Sequence, residues 1–270
     1  MVINNPPSEY QGIPPENVFF VSSDSRIQLG YGCVIPFFQY ELYPSEPLHI
    51  YMQMETQLSA RAMLFGALLA RAGQIRNEKG VPARFYTQVD PKDTEYLKFC
   101  TQMGMKQDDS EDLYSFYLPY GQAQAPMGYD YYQVPLVTPQ DEMKFLERLN
   151  RYRIQAVTHD HLTLWRQQEH FLALAFYRQG NPVEPACEAV FTGAGQTATL
   201  LNIYTVPEFR RQRLASQLIE AACVHLRDQG VAIMYTHIFK RNTPQMALMQ
   251  HLKGQFIRTV NCLPGINMIK

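Results

Sequence analysis

The sequence has no apolar run of the roughly 18 residues that a membrane-spanning helix needs. Excess charge of either sign is missing too, since 24 Lys and Arg stand against 25 Asp and Glu. A nucleic-acid binder usually carries a basic surplus, so that class is disfavoured, as is a membrane partner. Cysteine is sparse, and Cys33, Cys100, Cys187, Cys223 and Cys262 are scattered without a C-x-x-C pair. That pattern argues against a disulfide framework and fits reduced, packed thiols in the cytoplasm. The opening MVINNPPSEYQGIPP has neither a basic n-region nor an apolar h-region, and is not read as a signal peptide. No G-x-S-x-G, no P-loop lysine motif and no Ser/His/Asp order is present.

What the chain does have is ample core material, 46% hydrophobic in 270 residues, enough for one or two domains. Between Leu118 and Pro139 it becomes proline-rich, with Asp130 its only charge, which is linker composition. Domains over 1–120 and 139–270 are expected, joined by a linker at 121–138. The two halves resemble each other at an offset of 149 residues. Arg61 falls on Arg210, Phe65 on Leu214, Gly66 on Ala215, Tyr86 on Tyr235 and Asp93 on Asn242. Each half reads strand, turn, amphipathic helix, strand, helix, strand, and that order implies a right-handed crossover between parallel strands. In the second half GAGQ signals a hairpin. Helical spacing is expected over Pro139–Tyr152, His161–Gln168, Leu214–Gln229 and Pro244–Lys253.

The turn PEFRRQRLAS, residues 207–216, lies between the apolar strand TATLLNIYTV and the helix QLIEAACVHLRDQG. A helix N-terminus leaves N–H groups unpaired and favours an anion. A turn that adds arginines there reads as a phosphate cradle. A solvated basic loop is the simpler alternative.

Pro207, Arg210 and Ala215 resemble the pyrophosphate loop of the GNAT N-acetyltransferase superfamily, V-x-P-x-x-R-x-x-G-x-G/A. Asn242, Leu248, Gly254 and Phe256 stand near that family's downstream pattern. The resemblance covers both halves, more plainly the second. It implies an α/β (α+β) fold of two tandem GNAT-like domains, each a mixed, mostly antiparallel twisted sheet flanked by helices. It also implies acetyl transfer from acetyl-CoA, without a metal, to a primary amine of a small molecule or peptide. The expected cofactor-binding residues are Tyr204, Thr205, Val206, Arg210, Arg211, Gln212, Arg213, Leu214, Ala215, Ser216, Asn242 and Met249. Tyr204 and Glu188 are the catalytic candidates, and a backbone N–H is expected to stabilise the oxyanion.

Two positions depart from the family. Arg213 replaces the middle glycine, which suits positive φ or close approach to a ligand. Met249 stands where the family usually has the tyrosine that protonates the departing thiolate. These departures leave open a catalytically impaired module that binds CoA or a partner. The first half departs further, with ETQLSARAMLFG lacking the proline, Leu64 at the glycine position and Cys100 in the tyrosine slot. It reads as a degenerate copy, and a homodimer is left open.

Other features point elsewhere. His159, His161 and His170 lack a fourth ligand at metal spacing. His225 and Asp228 form an i,i+3 pair on a helix. The tyrosines of YDYYQ (Tyr129, Tyr131, Tyr132) either border a cleft or fasten the linker.

Overall fold

The computed structural model describes residues 1–118, 124–151 and 156–269. The chain divides into two compact units, and neither is a continuous stretch. Unit 1 takes Met1–Glu111, Lys240–Asn242 and Thr259–Lys270; unit 2 takes Asp112–Phe239 and Thr243–Arg258. A cut at a central linker therefore does not separate them. Part of the expected linker, Tyr129–Gln133, is a strand, and residues 121–123 of it lie outside the described residues.

Unit 1 contains β1 (Val2–Asn4), β2 (Val18–Ser22), β3 (Gln28–Phe38), β4 (Leu48–Thr56) and β5 (Ala83–Tyr86), with the last strand of the chain, β13 (Gly265–Met268). The sheet runs β1-β2-β3-β4-β5-β13. Only β4 and β5 are parallel, as a crossover through a helix requires. That helix, α1 (Leu58–Lys79), buries Ala60, Leu64, Leu68 and Ala72 against the sheet and stops at left-handed Gly80. After β5 comes α2 (Thr94–Gln102), capped by Asp93, whose side chain accepts from the Tyr96 amide at 2.9 Å.

β13 brings its own lock. Arg84 on β5 is almost wholly buried and donates to Asp108 at 2.6 Å, Asn267 at 2.7 Å and the Leu263 carbonyl at 3.2 Å. Gly265 passes so close that a Cβ there would lie 2.8 Å from the guanidinium carbon. Glycine is required for that approach.

Unit 2 is built on seven strands ordered β12-β6-β11-β10-β9-β8-β7. They are β6 (Ser110–Tyr117), β7 (Tyr129–Gln133), β8 (His170–Arg178), β9 (Asn181–Ala194), β10 (Thr197–Thr205), β11 (Ile233–Phe239) and β12 (Gln255–Cys262). Unit boundaries fall within β6 and β12. The expected hairpin joins β9 to β10, with Gly195 left-handed at φ 59°. β10 and β11 are parallel, linked by α5 (Leu214–Asp228). One face packs on α5 through Leu218, Ala222 and Leu226. The other packs on α3 (Pro139–Asn150) and α4 (His159–Arg166) through Phe145, Leu149 and Leu162. α6 (Thr243–His251) follows β11.

The helices differ from expectation at their ends. α4 starts two residues early because Thr158 and His161 form a capping box. α3 is described only to Asn150 with its cap at Arg151, and Tyr152 lies outside the described residues. α6 begins and ends slightly before the expected span.

The repeat offset is preserved in the elements: β4 and β10 begin at Leu48 and Thr197, α2 and α6 at Thr94 and Thr243. One difference stands between the copies. α1 has 22 residues and α5 has 15, and the extra two turns occupy the place of residues 207–213. Arg61, expected opposite Arg210 in a turn, is inside α1. It donates to Glu95 at 3.0 Å and lies over the rings of Tyr96 and Phe99. Leu64, opposite Arg213, is wholly buried.

Candidate active site

β10 ends at Thr205, and Pro207–Phe209 makes one 3-10 turn, with proline at its first position. Two arginines then adopt positive φ, 66° at Arg211 and 63° at Arg213, before α5 starts at Leu214. Left-handed backbone costs an L-residue about 1–2 kcal/mol. Arg213 thus adopts a backbone conformation that glycine enters at no steric cost.

Neighbouring contacts hold the turn in that shape. Arg210 Nε donates to the Thr205 carbonyl at 3.0 Å, with its guanidinium 5.8 Å from the centre of the Tyr204 ring. The Tyr129 hydroxyl donates to Gln212 Oε1 at 2.7 Å, and its ring meets Phe209 edge-on. Tyr129 of YDYYQ therefore ties a segment expected as linker to the arginine turn. Tyr131 packs on Phe176 and His225, and Tyr132 on Tyr177. Ser216 Oγ donates back to the Arg213 carbonyl at 2.9 Å. The first amides of α5 have no intrahelical acceptor, no acidic side chain stands in its first turn, and Arg211, Gln212 and Arg213 are exposed. Left-handed residues in a turn gather successive N–H groups on one concave side, which suits an anion.

Beside this turn the sheet opens. β10 and β11 pair from Thr197 with Ile233 to Leu200 with Thr236, where Thr236 Oγ1 also donates to the Leu200 carbonyl at 3.1 Å. Beyond that pair β10 continues with β9 alone as far as Thr205, with a bulge between Leu200 and Asn202. A cleft of about 40 Å³ lies in the gap, lined by Leu201, Asn202 and Ile203 of β10, His237 and Ile238 of β11, and Met249 of α6. Met249 is almost fully buried.

Tyr204 and Glu188 are direct partners across β10 and β9 and so share the α3 face of the sheet. Glu188 is buried, and both Arg148 Nε and Nη2 donate to its Oε2, at 3.0 and 2.6 Å. Burial pushes the Glu188 carboxyl up, opposed by the Arg148 charge. Thr205 faces α5 instead, its hydroxyl 3.2 Å from Cys187 Sγ.

The remaining expected residues are dispersed. Asn242 is buried and belongs to unit 1. His161 serves the α4 cap, His159 lies 3.1 Å from Glu142, and His170 Nε2 is 2.7 Å from the Gly195 carbonyl. Among the described residues no group of His, Cys, Asp and Glu could hold a metal ion. His237 was not singled out by its sequence context, because its place depends on where β10 and β11 part.

Residues 130–254 match the family model of the acetyltransferase (GNAT) family. Curated protein sequences give no match. Solved structures are similar over nearly the whole chain. A GCN5-related N-acetyltransferase from Sphaerobacter thermophilus is 13% identical with a TM-score of 0.50, the match covering 95% of this chain and 82% of that one. A conserved protein of Enterococcus faecalis V583, described as a probable N-acyltransferase, is 10% identical with a TM-score of 0.56, covering 92% and 61%. A tandem GNAT protein from the clavulanic acid biosynthesis pathway is 15% identical with a TM-score of 0.44, covering 93% and 82%. The fold, two mixed sheets flanked by helices, is that of two GNAT-like domains. The helix-headed turn and the parted strands lie inside residues 130–254, the stretch that matches the acetyltransferase (GNAT) family model.

Proposed function

We propose that this protein is an acyltransferase that moves an acetyl group from acetyl-CoA to a primary amine of a small molecule or peptide. One observation carries the reading: two arginines held left-handed at the head of α5, beside strands that have parted. Amides and side chains from Arg210 to Ser216 would hold the pyrophosphate, with Ala215 leaving room for it. The end of β10 beyond its last registered pair with β11, through Tyr204, Thr205 and Val206, would hydrogen-bond the pantetheine arm. Acetyl-CoA supplies an activated carbonyl. The chain orients it, keeps Met249 against the cleft, and offers Tyr204 near the reacting end. Five free thiols, four of them buried, support a reducing compartment, the cytoplasm.

Calorimetry with acetyl-CoA tests the reading. One site per chain is expected, lost in Ala215→Leu and weakened in a double Arg211→Ala, Arg213→Ala variant. Arg61→Ala should leave it intact, because Arg61 is committed to α2. Absence of binding, or two equivalent sites, refutes the proposal.

Met249 favours a second reading, a CoA-binding module without turnover, because a buried thioether cannot protonate the leaving thiolate. A lost general acid costs about 10²–10⁴-fold, whereas a thiol is already a tolerable leaving group near neutrality. Thiol release from acetyl-CoA in the presence of amines separates the two readings.

A further inference from the structure

Glu188, the one acidic candidate among the expected catalytic residues, is buried and both of its observed bonds go to Arg148. An amine arriving from solvent as an ammonium ion needs an accessible base. Such a base must stand where the β10–β11 gap opens on the α3 face, the face shared by Tyr204 and Glu188.

The side-chain alternation of β11 decides which residues reach that face. Met234 and Ile238 are buried in the core against α5, so Tyr235, His237 and Phe239 project to the opposite side. His237 is the first residue of β11 beyond the last registered pair, Leu200 with Thr236. It lines the cleft together with Asn202, which lies opposite Val190 and therefore on the α3 face. His237 is also exposed.

We propose that His237 is the general base that deprotonates the acceptor amine. This rests on the acetyl-CoA reading above and deepens it. The neutral imidazole takes one proton from the acceptor ammonium, and the freed amine lone pair attacks the thioester carbonyl carbon. The C–N bond forms, the nitrogen loses its second proton, and the C–S bond breaks with its electron pair going to sulfur. That second proton leaves with sulfur as the CoA thiol, and His237 returns its own to solvent.

Other groups facing this region within unit 2 are less suited. Tyr204 and Tyr235 are phenols, and Arg148 and Arg210 are cations engaged with Glu188 and Thr205. β6 alternates with buried Phe116 to present Leu113, Ser115 and Tyr117. Histidine is the side-chain type whose ordinary ionisation lies near neutrality.

His237→Gln separates catalysis from binding. By calorimetry it should bind acetyl-CoA as the wild type does, because the base contributes nothing to holding the phosphates. With tyramine, spermidine, kanamycin and alanyl-alanine as acceptors, kcat/KM for the best substrate should fall about 10²–10⁴-fold. The acid limb of the wild-type pH profile should disappear. A variant within threefold of wild type that keeps its acid limb overturns the assignment. Should none of these amines be acetylated, the ring resonances of His237 in the wild-type protein decide. Acetyl-CoA should shift them more than those of the other six histidines, and an unmoved resonance overturns the proposal. Failure of acetyl-CoA to bind at all would instead strike the functional reading.

Discussion

Arg213 concentrates the tension between local preference and site geometry. Its left-handed backbone at the first position before α5 keeps the turn's amides gathered at a standing energetic cost. Arg213→Gly should therefore be more stable than Arg213→Ala by about 1 kcal/mol, since both lose the guanidinium and only glycine relieves the strain. Chemical denaturation of the pair measures this. His49 in unit 1 gives a pH signature. It is buried among Phe37, Tyr43 and Tyr86, and its Nε2 has no hydrogen-bond partner. Burial, reinforced by the charges of Arg84 and Arg241, lowers its pKa from 6.5 to about 4. The unfolded chain takes up this proton as pH falls through 6.5, whereas the folded chain resists until about 4. The stability contribution is therefore present above 6.5 and lost progressively down to about 4. His49→Phe should flatten that part of the melting-temperature profile, as calorimetry from pH 7 to 4 would record.

Among the elements, α1 and α5 explain how one duplicated pattern produced two outcomes. The repeat was legible because the strands and second helices keep their spacing, and the hairpin because GAGQ carries its own turn chemistry. The start of α1 was not. SARAMLFG aligns with the arginine turn, yet it lacks proline and is rich in Ala, Leu, Met and Arg, which propagate a helix. The helix consequently runs back to Leu58 and buries Leu64 where a phosphate turn would need open space. Leu64→Ala should cost unit 1 about 2–5 kcal/mol through the cavity it leaves. It should not change the number of acetyl-CoA molecules bound, which denaturation and calorimetry on the same preparation can show. The parting of β10 from β11 was illegible for another reason. Alternation tells which face a residue takes, but only the pairing register tells where a strand loses its neighbour. His237 thus had no distinguishing mark in sequence.

At the scale of the whole molecule, the chain order of strands does not match their membership of sheets. β13 pairs with β5 from Gly265 with Tyr86 to Met268 with Ala83, and short alternating strands name no partner in their sequence. Deleting residues 265–270 should expose β5 as an edge and remove Asn267 from Arg84. Hydrogen exchange at Ala83–Tyr86 should accelerate and the melting temperature should fall. Unchanged protection of those four amides would mean that β13 adds nothing to unit 1.

The same pairing orders events during synthesis. Domains commonly fold in the sequence in which they emerge from the ribosome, but the strand that closes unit 1 is translated only after unit 2. Until then β5 presents an open row of backbone donors and acceptors, the kind of edge that invites association with other chains. A stop codon just before Gly265 would therefore damage a sheet whose other strands were made before unit 2.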